Sequence, residues 1–255
     1  MCYTLGSTIK GIELVKRIVS SLLLSLCLSS QAYVIPHFTA KSWLVADKNG
    51  KVIDGNNTLE VRSIASITKL MTVMVVLDAK QDLNEVLRPR RLTRRELIGL
   101  AIVHSDNGAA KLLCDNYPGG YHDCIQAMNL KAVELDMHKS KFLEPTGLSV
   151  FNVSNAQELV KLVLAASKYP IINEYSNKDV IRIPSNKKKP AQFRNTNSLV
   201  GHYDFKVSKT GWINKSGGCI VMMIDANNKE KIIVLLGSKN THTRIPEAKM
   251  IALTY

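Results

Sequence analysis

Ser66 and Lys69 lie three residues apart at the head of an apolar stretch, and this spacing predicts a serine nucleophile beside a lysine base. In a helix, side chains three residues apart share one face and can touch. A serine hydroxyl is a poor nucleophile without a base in contact, and lysine can be that base where burial lowers its pKa towards neutrality. Seven of the eight residues 70–77 are apolar, so we expect a buried helix from about Ser66 to Lys80. Burial of that helix is what would lower the pKa of Lys69 and allow it to accept the proton of Ser66.

The Ser-x-x-Lys pattern occurs three times in the chain, beginning at Ser7, Ser66 and Ser185. The first copy lies in an N-terminal leader described below, and the third lies in a polar, basic loop. Only the copy at Ser66 opens a buried helix, so it alone has the surroundings that the chemistry needs. Its structural alternative is a helix cap followed by a lysine whose ammonium reaches solvent.

A second candidate motif, Ser105-Asp106-Asn107, lies between two apolar helical segments. A simple helix break or cap is the alternative, because all three residue types favour one. The position between two buried segments nevertheless allows Ser105 and Asn107 to face a cleft between the helices and a sheet.

The third candidate motif is Lys209-Thr210-Gly211, which continues a strand-like alternation. A glycine within a strand marks the close approach of another backbone or of a ligand. The Lys-Ser-Gly sequence at 215–217 fits the same pattern, but it lies in a Gly-rich turn and is explained by turn chemistry. We therefore take residues 209–211 as the functional copy.

The three motifs need a sheet and helices to position them, and the periodicity of the chain predicts both. Two short strands surround Asn49-Gly50, a strong hairpin signal, and strand-like segments follow residue 180. The region between is helical by its apolar spacing, and a last helix is expected over 246–253. We predict an α+β domain in which an antiparallel sheet made by both chain ends is flanked by helices, with a mostly helical lobe, about residues 66–168, inserted in it.

Residues 1–32 have the layout of a secretory signal peptide. Three basic residues precede the apolar run 18–28, and Ser30-Gln31-Ala32 offers small residues for cleavage. The alternative is an uncleaved anchor, but this run is shorter than the roughly 20 apolar residues that span a bilayer. We expect export to the periplasm, a mature chain of residues 33–255 forming a single catalytic domain, and no membrane anchor after cleavage.

The formal net charge is +13, and it falls to +11 when the leader is removed with its three basic and one acidic residues. The basic runs lack interleaved aromatic residues, which favours a solvated basic face over nucleic-acid binding. In an exported protein, an anionic cell-wall polymer is the expected electrostatic partner. No histidine or cysteine pair has zinc spacing, so we expect neither a metal nor a cofactor.

Three cysteines remain after cleavage, namely Cys114, Cys124 and Cys219. An odd number without tight spacing is not a disulfide framework. Pairing of Cys114 with Cys124 in an oxidising compartment is one possibility, but we expect three buried free thiols.

Ser-x-x-Lys, Ser-Asp-Asn and Lys-Thr-Gly in this order are a signature of class A β-lactamases and penicillin-binding proteins. The chain resembles the low-molecular-mass penicillin-binding proteins, which are serine D,D-peptidases, and among them the D-alanyl-D-alanine endopeptidases. The resemblance extends to "RSIASITKLMT", "NYPGGY", "FLEPTGLSVFNVS", "FRNTNSLV" and "KTGWIN". It implies a β-lactamase-like fold with the active site in the cleft between lobe and sheet.

The resemblance also implies roles for residues of the first two motifs. Ser66 corresponds to the acylated nucleophile and Lys69 to its general base. Ser105 corresponds to a residue that helps proton transfer to the leaving amine, and Asn107 to one that binds the substrate amide.

For the third motif, the resemblance implies that Lys209 adds positive charge and that Thr210 holds a substrate carboxylate beside Gly211. The oxyanion hole of the family uses two backbone N–H groups, here those of Ser66 and Trp212. The implied reaction hydrolyses D-alanyl crosslinks of peptidoglycan through an acyl-enzyme, and β-lactams are expected to acylate the same serine.

Other functions remain open at this point. A D,D-carboxypeptidase that removes terminal D-Ala is the near alternative. A β-lactamase is disfavoured because no Glu-x-x-Leu-Asn loop is found to activate a deacylating water. A β-lactam or muropeptide sensor that is acylated without turnover, and a non-enzymatic cell-wall-binding protein, are the alternatives from other classes.

Two departures from the pattern of the subgroup concern the same region. The 39 residues from Ser66 to Ser105 are fewer than the subgroup leads us to expect, so a piece bordering the cleft is missing. Asp106 stands where the subgroup often has glutamate, which keeps an acidic side chain at that position.

Overall fold

Strands from both ends of the chain form one five-stranded antiparallel sheet in the computed structural model, which describes residues 38–184 and 189–255. The strands in chain order are β1 (Ser42–Asp47), β2 (Val52–Asn56), β3 (Arg62–Ser63), β4 (Val86–Leu87), β5 (Leu92–Thr93), β6 (Val153–Ser154), β7 (Val180–Ile183), β8 (Ala191–Arg194), β9 (Asp204–Ile213), β10 (Gly217–Ala226) and β11 (Lys229–Ser238). The sheet has the order β2-β1-β11-β10-β9, and the pairs β3-β6, β4-β5 and β7-β8 stand apart from it. The pairing of β1 with β11 joins the two ends of the chain.

Most helices lie in the sequence between the two parts of this sheet. In chain order they are α1 (Thr68–Asp78), α2 (Arg94–Gly99), α3 (Asn107–Asp115), α4 (Tyr121–Glu134), α5 (Ala156–Ala166), α6 (Pro170–Ser176) and α7 (Thr241–Thr254). A 3-10 turn, Ala65–Ile67, precedes α1, and a π-helical turn, Leu100–His104, follows α2. The predicted α+β architecture, an antiparallel sheet flanked by helices, is confirmed.

Both faces of the sheet are covered, which explains why β10 and β11 are almost continuously apolar. Side chains alternate between the two faces of a strand. Val221 and Val234 are paired across the two strands and belong to the core on the side of α1, whereas the paired Ile220 and Leu235 belong to the core under α7. The central strands therefore have no polar face to present to solvent.

Helix α1 is the central helix of the lobe, with nine of its eleven residues buried, and it packs among α3, α4 and α5. The predicted buried helix is thus confirmed, but its start is not. Ala65 has a left-handed φ of 46°, so the chain makes a tighter turn through Ser66 before regular helix begins at Thr68. The helix ends at Asp78, two residues before the predicted end.

The predicted hairpin near the start of the sheet and the predicted last helix are both present in the structure. The hairpin of β1 and β2 is confirmed, and Gly50 in its turn has a φ of +86°. The last helix begins at Thr241 rather than at 246, because the side chain of Asn240 accepts hydrogen bonds from the backbone N–H groups of His242 and Thr243 and so caps an earlier turn.

The expectation of three free thiols was wrong for two of them. Cys114 at the end of α3 and Cys124 in the first turn of α4 form a disulfide, with their Cα atoms 5.4 Å apart. Gly119 and Gly120 both have positive φ, and the tight reversal that they make brings the two helix ends together. Cys219 is a buried free thiol, as expected.

The leader 1–32 and the Ser-x-x-Lys copies at 7–10 and 185–188 lie outside the described residues. Within the described ranges, no helix is both long enough and apolar enough to cross a membrane.

Candidate active site

The turn that precedes α1 brings the side chains of Ser66 and Lys69 into contact. Ser66 belongs to the 3-10 turn and Lys69 to the first turn of α1. Their side chains meet with Lys69 Nζ 2.8 Å from Ser66 Oγ. The distance is that of a hydrogen bond, so a proton can pass directly between the two atoms.

Lys69 is fully buried, and burial is the main cause that lowers its pKa from 10.5 to about 7. The carboxylates of Glu144 and Asp106 act in the opposite direction, since each favours the charged ammonium. Near pH 7 a substantial fraction of Lys69 is therefore a neutral amine with a free lone pair.

Three acceptors surround Lys69 Nζ, and their number matters for the chemistry. Besides Ser66 Oγ, they are Asn107 Oδ1 at 2.7 Å and the backbone oxygen of Thr146 at 2.6 Å. An ammonium donates to all three, whereas a neutral amine has two N–H donors and one lone pair. Two donors used on Asn107 and Thr146 leave the lone pair for the hydroxyl proton of Ser66, so these contacts orient the base.

The Thr146 carbonyl is held in place by a loop that Glu144 organises. The Glu144 carboxylate accepts hydrogen bonds from the backbone N–H groups of Thr146 (2.7 Å) and Gly147 (2.6 Å) and from Asn152 Nδ2 (3.0 Å). Gly147 has a φ of +81°, and a Cβ there would lie 1.9 Å from the backbone oxygen of Ala65. The loop therefore docks directly on the turn that carries Ser66.

The Ser105-Asp106-Asn107 turn reaches both buried lysines of the cleft. Ser105 ends the π-helical turn in a left-handed conformation with φ 61°, and Asp106 caps α3 by accepting a hydrogen bond from Ala109 N at 2.7 Å. Lys209 Nζ donates to Ser105 Oγ at 2.8 Å, while Asn107 accepts from Lys69. The turn thus connects the first motif to the third.

Lys209 on β9 is as deeply buried as Lys69, and its Nζ also donates to the backbone oxygen of Thr210 at 2.8 Å. Burial lowers the pKa of Lys209 well below its usual value, and the nearby cations Lys69 and Arg244 lower it further. Thr210 Oγ1 donates to Thr196 Oγ1 at 2.6 Å. The amine of Lys209 and the hydroxyls of Thr210 and Thr196 therefore lie close together at this part of β9.

Gly211 lets strand β9 approach the backbone at Ser66. A Cβ on Gly211 would lie 2.9 Å from Ser66 N and 3.0 Å from Ile64 O. Its neighbour Trp212 is 38% exposed. The close approach that a glycine in this strand predicted is therefore made to the turn that contains Ser66. The competing Lys-Ser-Gly sequence at 215–217 lies at the turn between β9 and β10.

Besides Glu144, three contributors to the site lie outside the motifs. The first is the backbone oxygen of Thr146, which no residue type reveals, although the sequence around it belongs to the resemblance described above. The second is Thr196, which lies in the segment "FRNTNSLV" of the resemblance but in none of the three motifs. The third is Arg244 on α7, whose Nη1 donates to the backbone oxygen of Gly211 at 2.6 Å, and no local pattern marks it.

The sequence matches the family model described as peptidase S11, D-alanyl-D-alanine carboxypeptidase, over residues 29–88 and 81–240. It is 38% identical over 238 residues to the D-alanyl-D-alanine endopeptidase of Escherichia coli (strain K12), covering 85% of this chain and 77% of that protein. It is also 38% identical over 232 residues to the D-alanyl-D-alanine endopeptidase of Pseudomonas aeruginosa, covering 81% and 74%.

The family match consists of two pieces, and the alignment with the Escherichia coli relative contains gaps. The two pieces of the family match overlap at 81–88, between Ser66 and Ser105. The alignment with the Escherichia coli protein has 238 positions, whereas 85% of 255 residues is about 217. About 20 positions of that relative therefore have no counterpart in this chain.

Two solved structures show the same fold. A single-residue variant of the Streptomyces K15 DD-transpeptidase superposes with a TM-score of 0.78 at 23% identity, covering 85% of this chain and 97% of that one. The cefotaxime-bound form of penicillin-binding protein D2 from Listeria monocytogenes gives a TM-score of 0.73 at 25% identity, covering 85% and 98%. The predicted penicillin-binding, transpeptidase-like fold is confirmed.

Proposed function

The chain belongs to the D-alanyl-D-alanine carboxypeptidase family, peptidase S11, and from this premise we propose that it is a serine endopeptidase that hydrolyses D-alanyl crosslinks of peptidoglycan. The observation that carries the proposal is the contact of Ser66 Oγ with Lys69 Nζ at 2.8 Å, in a site where the pKa of the lysine is about 7. The endopeptidase assignment is supported by the two bacterial relatives of that name, each 38% identical to this chain.

In the first step, Ser66 Oγ attacks the carbonyl carbon of a D-Ala residue, and its proton passes to the neutral amine of Lys69. The contacts of Lys69 with Asn107 and Thr146 direct the lone pair towards the hydroxyl. The backbone N–H groups of Ser66 and Trp212 are proposed to stabilise the oxyanion that forms. A donor of this kind contributes about 3 to 4 kcal/mol in other acyl transferases.

The tetrahedral intermediate then collapses, the C–N bond breaks, and the amine of the neighbouring stem peptide leaves with the proton that Lys69 took from Ser66. Ser105 is proposed to pass that proton, since its hydroxyl contacts Lys209. Asn107 is proposed to bind the substrate amide, and Thr210, with Lys209 beside it, to bind a carboxylate next to the scissile bond.

In the last step, a water molecule attacks the ester of Ser66 and Lys69 again takes the proton. The C–O bond to Ser66 then breaks, Lys69 returns the proton to Ser66 Oγ, and the enzyme is regenerated. β-Lactams are proposed to acylate Ser66 in the same way. The chemistry is supplied by these side chains and backbone groups, so the proposal requires no cofactor.

We further propose that residues 1–32 are a secretory signal and that residues 33–255 form a single catalytic domain that acts in the periplasm, with a mostly helical lobe inserted between the strands of its sheet. Disulfides persist in oxidising compartments such as the periplasm. The disulfide of Cys114 with Cys124 therefore supports export.

Intact-protein mass spectrometry with benzylpenicillin tests the nucleophile. We expect a mass increase of one penicillin per wild-type chain and no increase in Ser66→Ala, which changes only the hydroxyl. An unlabelled wild-type protein, folded by circular dichroism, overturns the proposal.

Assays on purified muropeptides test the reaction. Cleavage of a crosslinked dimer into monomers is the expected result. A D,D-carboxypeptidase is the second candidate, and it is favoured by the description of the family that matches. Release of D-Ala from a pentapeptide monomer, with the dimer left intact, supports that candidate and excludes the endopeptidase.

A further inference from the structure

The segment in which the family match is discontinuous ends in a short hairpin of β4 and β5 that contacts the second motif. The turn between the two strands, 88–91, contains three arginines. One of them, Arg90, places Nη1 3.0 Å from Asp106 Oδ1. The side chain of Arg90 is 37% exposed and that of Asp106 is 20% exposed, so the ion pair is only partly screened by solvent.

The guanidinium fits closely against α3. A Cβ on Gly108 would lie 2.4 Å from Arg90 Nη2 and 3.1 Å from Arg90 Cζ. Glycine at this position therefore leaves the space that the guanidinium occupies. Asp106 already caps α3 through Ala109 N. Arg90 thus connects the β4-β5 hairpin to Asp106, the N-cap residue of α3, and to the first turn of α3.

Asp106, which Arg90 contacts, lies between Ser105 and Asn107, the two residues of the motif with a proposed function. Ser105, on one side of Asp106, has a φ of 61°, a conformation that persists in a non-glycine residue only where its surroundings support it. Asn107, on the other side, contacts Lys69. The backbone N–H of Asp106 is tied to Leu100 O at 3.1 Å, and its carboxylate is held by Arg90.

We propose that Arg90 is a positioning residue, which holds Ser105 and Asn107 in place through Asp106 from the shortened segment of this chain. The inference rests on the proposed function, because it concerns the same reaction. Arg90 also acts electrostatically, since its charge offsets that of Asp106. The charged groups that face Lys69 are Glu144, Asp106 and Lys209.

The sign of the electrostatic effect follows from these charges. The Asp106 carboxylate raises the pKa of Lys69. Loss of Arg90 leaves that carboxylate uncompensated, so the pKa of Lys69 rises and less neutral amine is present near pH 7. The acid limb of the pH profile for acylation therefore moves to higher pH. Asp106→Asn retains a capping side chain and moves the limb to lower pH.

The test is the pH dependence of benzylpenicillin acylation in the full-length mature protein. For Arg90→Ala we expect the rate near pH 7 to fall about three- to fivefold, a size typical of a partly exposed ion pair, with the acid limb displaced upwards. Arg90→Lys restores part of the rate. Arg88→Ala is the matched control, because it removes the same charge from the same turn, and it stays within about twofold of wild type.

A double-variant cycle separates positioning through Asp106 from a general effect of charge. In the Asp106→Asn background, Arg90→Ala is expected to have little further effect. An equal effect in both backgrounds overturns the proposal, as does an Arg90→Ala variant that behaves like Arg88→Ala.

Gly108→Ala tests the role of Arg90 independently, because it leaves the charges of Arg90 and Asp106 in place. Its Cβ occupies the space of Arg90 Nη2, so we expect the same direction of change as in Arg90→Ala. Thermal melting of each variant shows that it is folded. A wild type that is never acylated overturns the proposed function, whereas normal acylation of Arg90→Ala and Gly108→Ala overturns only this inference.

Discussion

Lys69 and Lys209 are two buried lysines in one cleft, and their surroundings differ in sign. Both have pKa values lowered first by burial. Lys69 has two carboxylates near it, Glu144 and Asp106, which limit the decrease to a pKa of about 7. Lys209 has the cations Lys69 and Arg244 near it, which add to the decrease.

The difference shows how one cleft can use two lysines for different purposes. Burial lowers the pKa of a lysine because it disfavours the charged form. The carboxylates near Lys69 return its pKa to the working range of a general base, where both protonation states are populated. Among the described residues, no carboxylate raises the pKa of Lys209, and its proposed partner is an anionic group of the ligand.

Replacement of Lys69 by methionine is expected to have the largest effect. Methionine has a similar length and no proton-accepting nitrogen, so acylation by benzylpenicillin should fall by about 10³-fold, within the range for loss of a general base. Stopped-flow or quenched mass spectrometry measures the rate.

The same variant should not lose stability. A buried lysine whose pKa is lowered opposes folding at neutral pH, because the unfolded chain binds a proton that the folded chain releases. The free energy of unfolding of wild type should therefore rise as the pH increases from about 7 towards 10.5, and Lys69→Met should remove part of that rise. A variant that keeps acylation within about tenfold of wild type contradicts the role of Lys69.

Replacement of Lys209 by methionine is expected to have the next largest effect, and the effect should depend on the ligand. Lys209 is proposed to supply charge to a carboxylate, so acylation by benzylpenicillin should fall by about 10²-fold, in keeping with the loss of a buried, charge-assisted hydrogen bond. The methyl ester of benzylpenicillin lacks the anion and should be much less affected. Equal losses for the acid and the ester contradict the proposed recognition of a carboxylate by Lys209.

These two lysines also show what the sequence could and could not predict. Ser66, Lys69 and Lys209 were found because each motif fixes a local spacing on one helix or one strand. The partners that set their pKa values are distant in the sequence: Glu144 lies 75 residues after Lys69, and Arg244 lies 35 residues after Lys209. Such contacts depend on how the loop and α7 pack, which no local pattern records.

The electrostatic details depart from the sequence-based expectation for the same reason. Burial was expected to lower the pKa of Lys69, and burial is its main cause, but the carboxylates of Glu144 and Asp106 that raise this pKa were not predicted. The start of α1 and the disulfide were missed because both depend on left-handed backbone, at Ala65 and at Gly119-Gly120.

Replacement of Glu144 by glutamine tests whether the carboxylates near Lys69 raise its pKa. The Glu144 charge raises the pKa of Lys69, so its removal should lower that pKa and move the acid limb of acylation to lower pH. The maximal rate should fall about tenfold, because the amide cannot accept all the hydrogen bonds that organise the loop around Thr146.

Asn152→Ala is the matched control for the loop, since it removes a hydrogen bond to Glu144 without removing the charge. It should lower the rate with the acid limb unmoved. A Glu144→Gln profile that is displaced to higher pH, or only lowered in height, contradicts the electrostatic role of Glu144.

Removal of the disulfide should have the smallest effect on the chemistry, and it shows that the two lysines owe their pKa values to their own neighbours. The bond joins α3 to α4 and closes a loop of ten residues' separation. Its loss in the Cys114→Ser, Cys124→Ser variant should lower the free energy of unfolding by about 2 to 3 kcal/mol, mainly because the unfolded chain gains freedom.

At 25 °C the folded fraction of this variant should still acylate with the pH profile of wild type, because neither cysteine is among the groups that shift the pKa of Lys69 or Lys209. Urea unfolding measures the first quantity and penicillin acylation the second. A displaced acid limb in the folded variant would mean that the packing of α3 against α4 reaches Lys69 through Asn107, the first residue of α3. In that case the pKa of Lys69 depends on the packing of the whole lobe, and not only on the groups close to its amine.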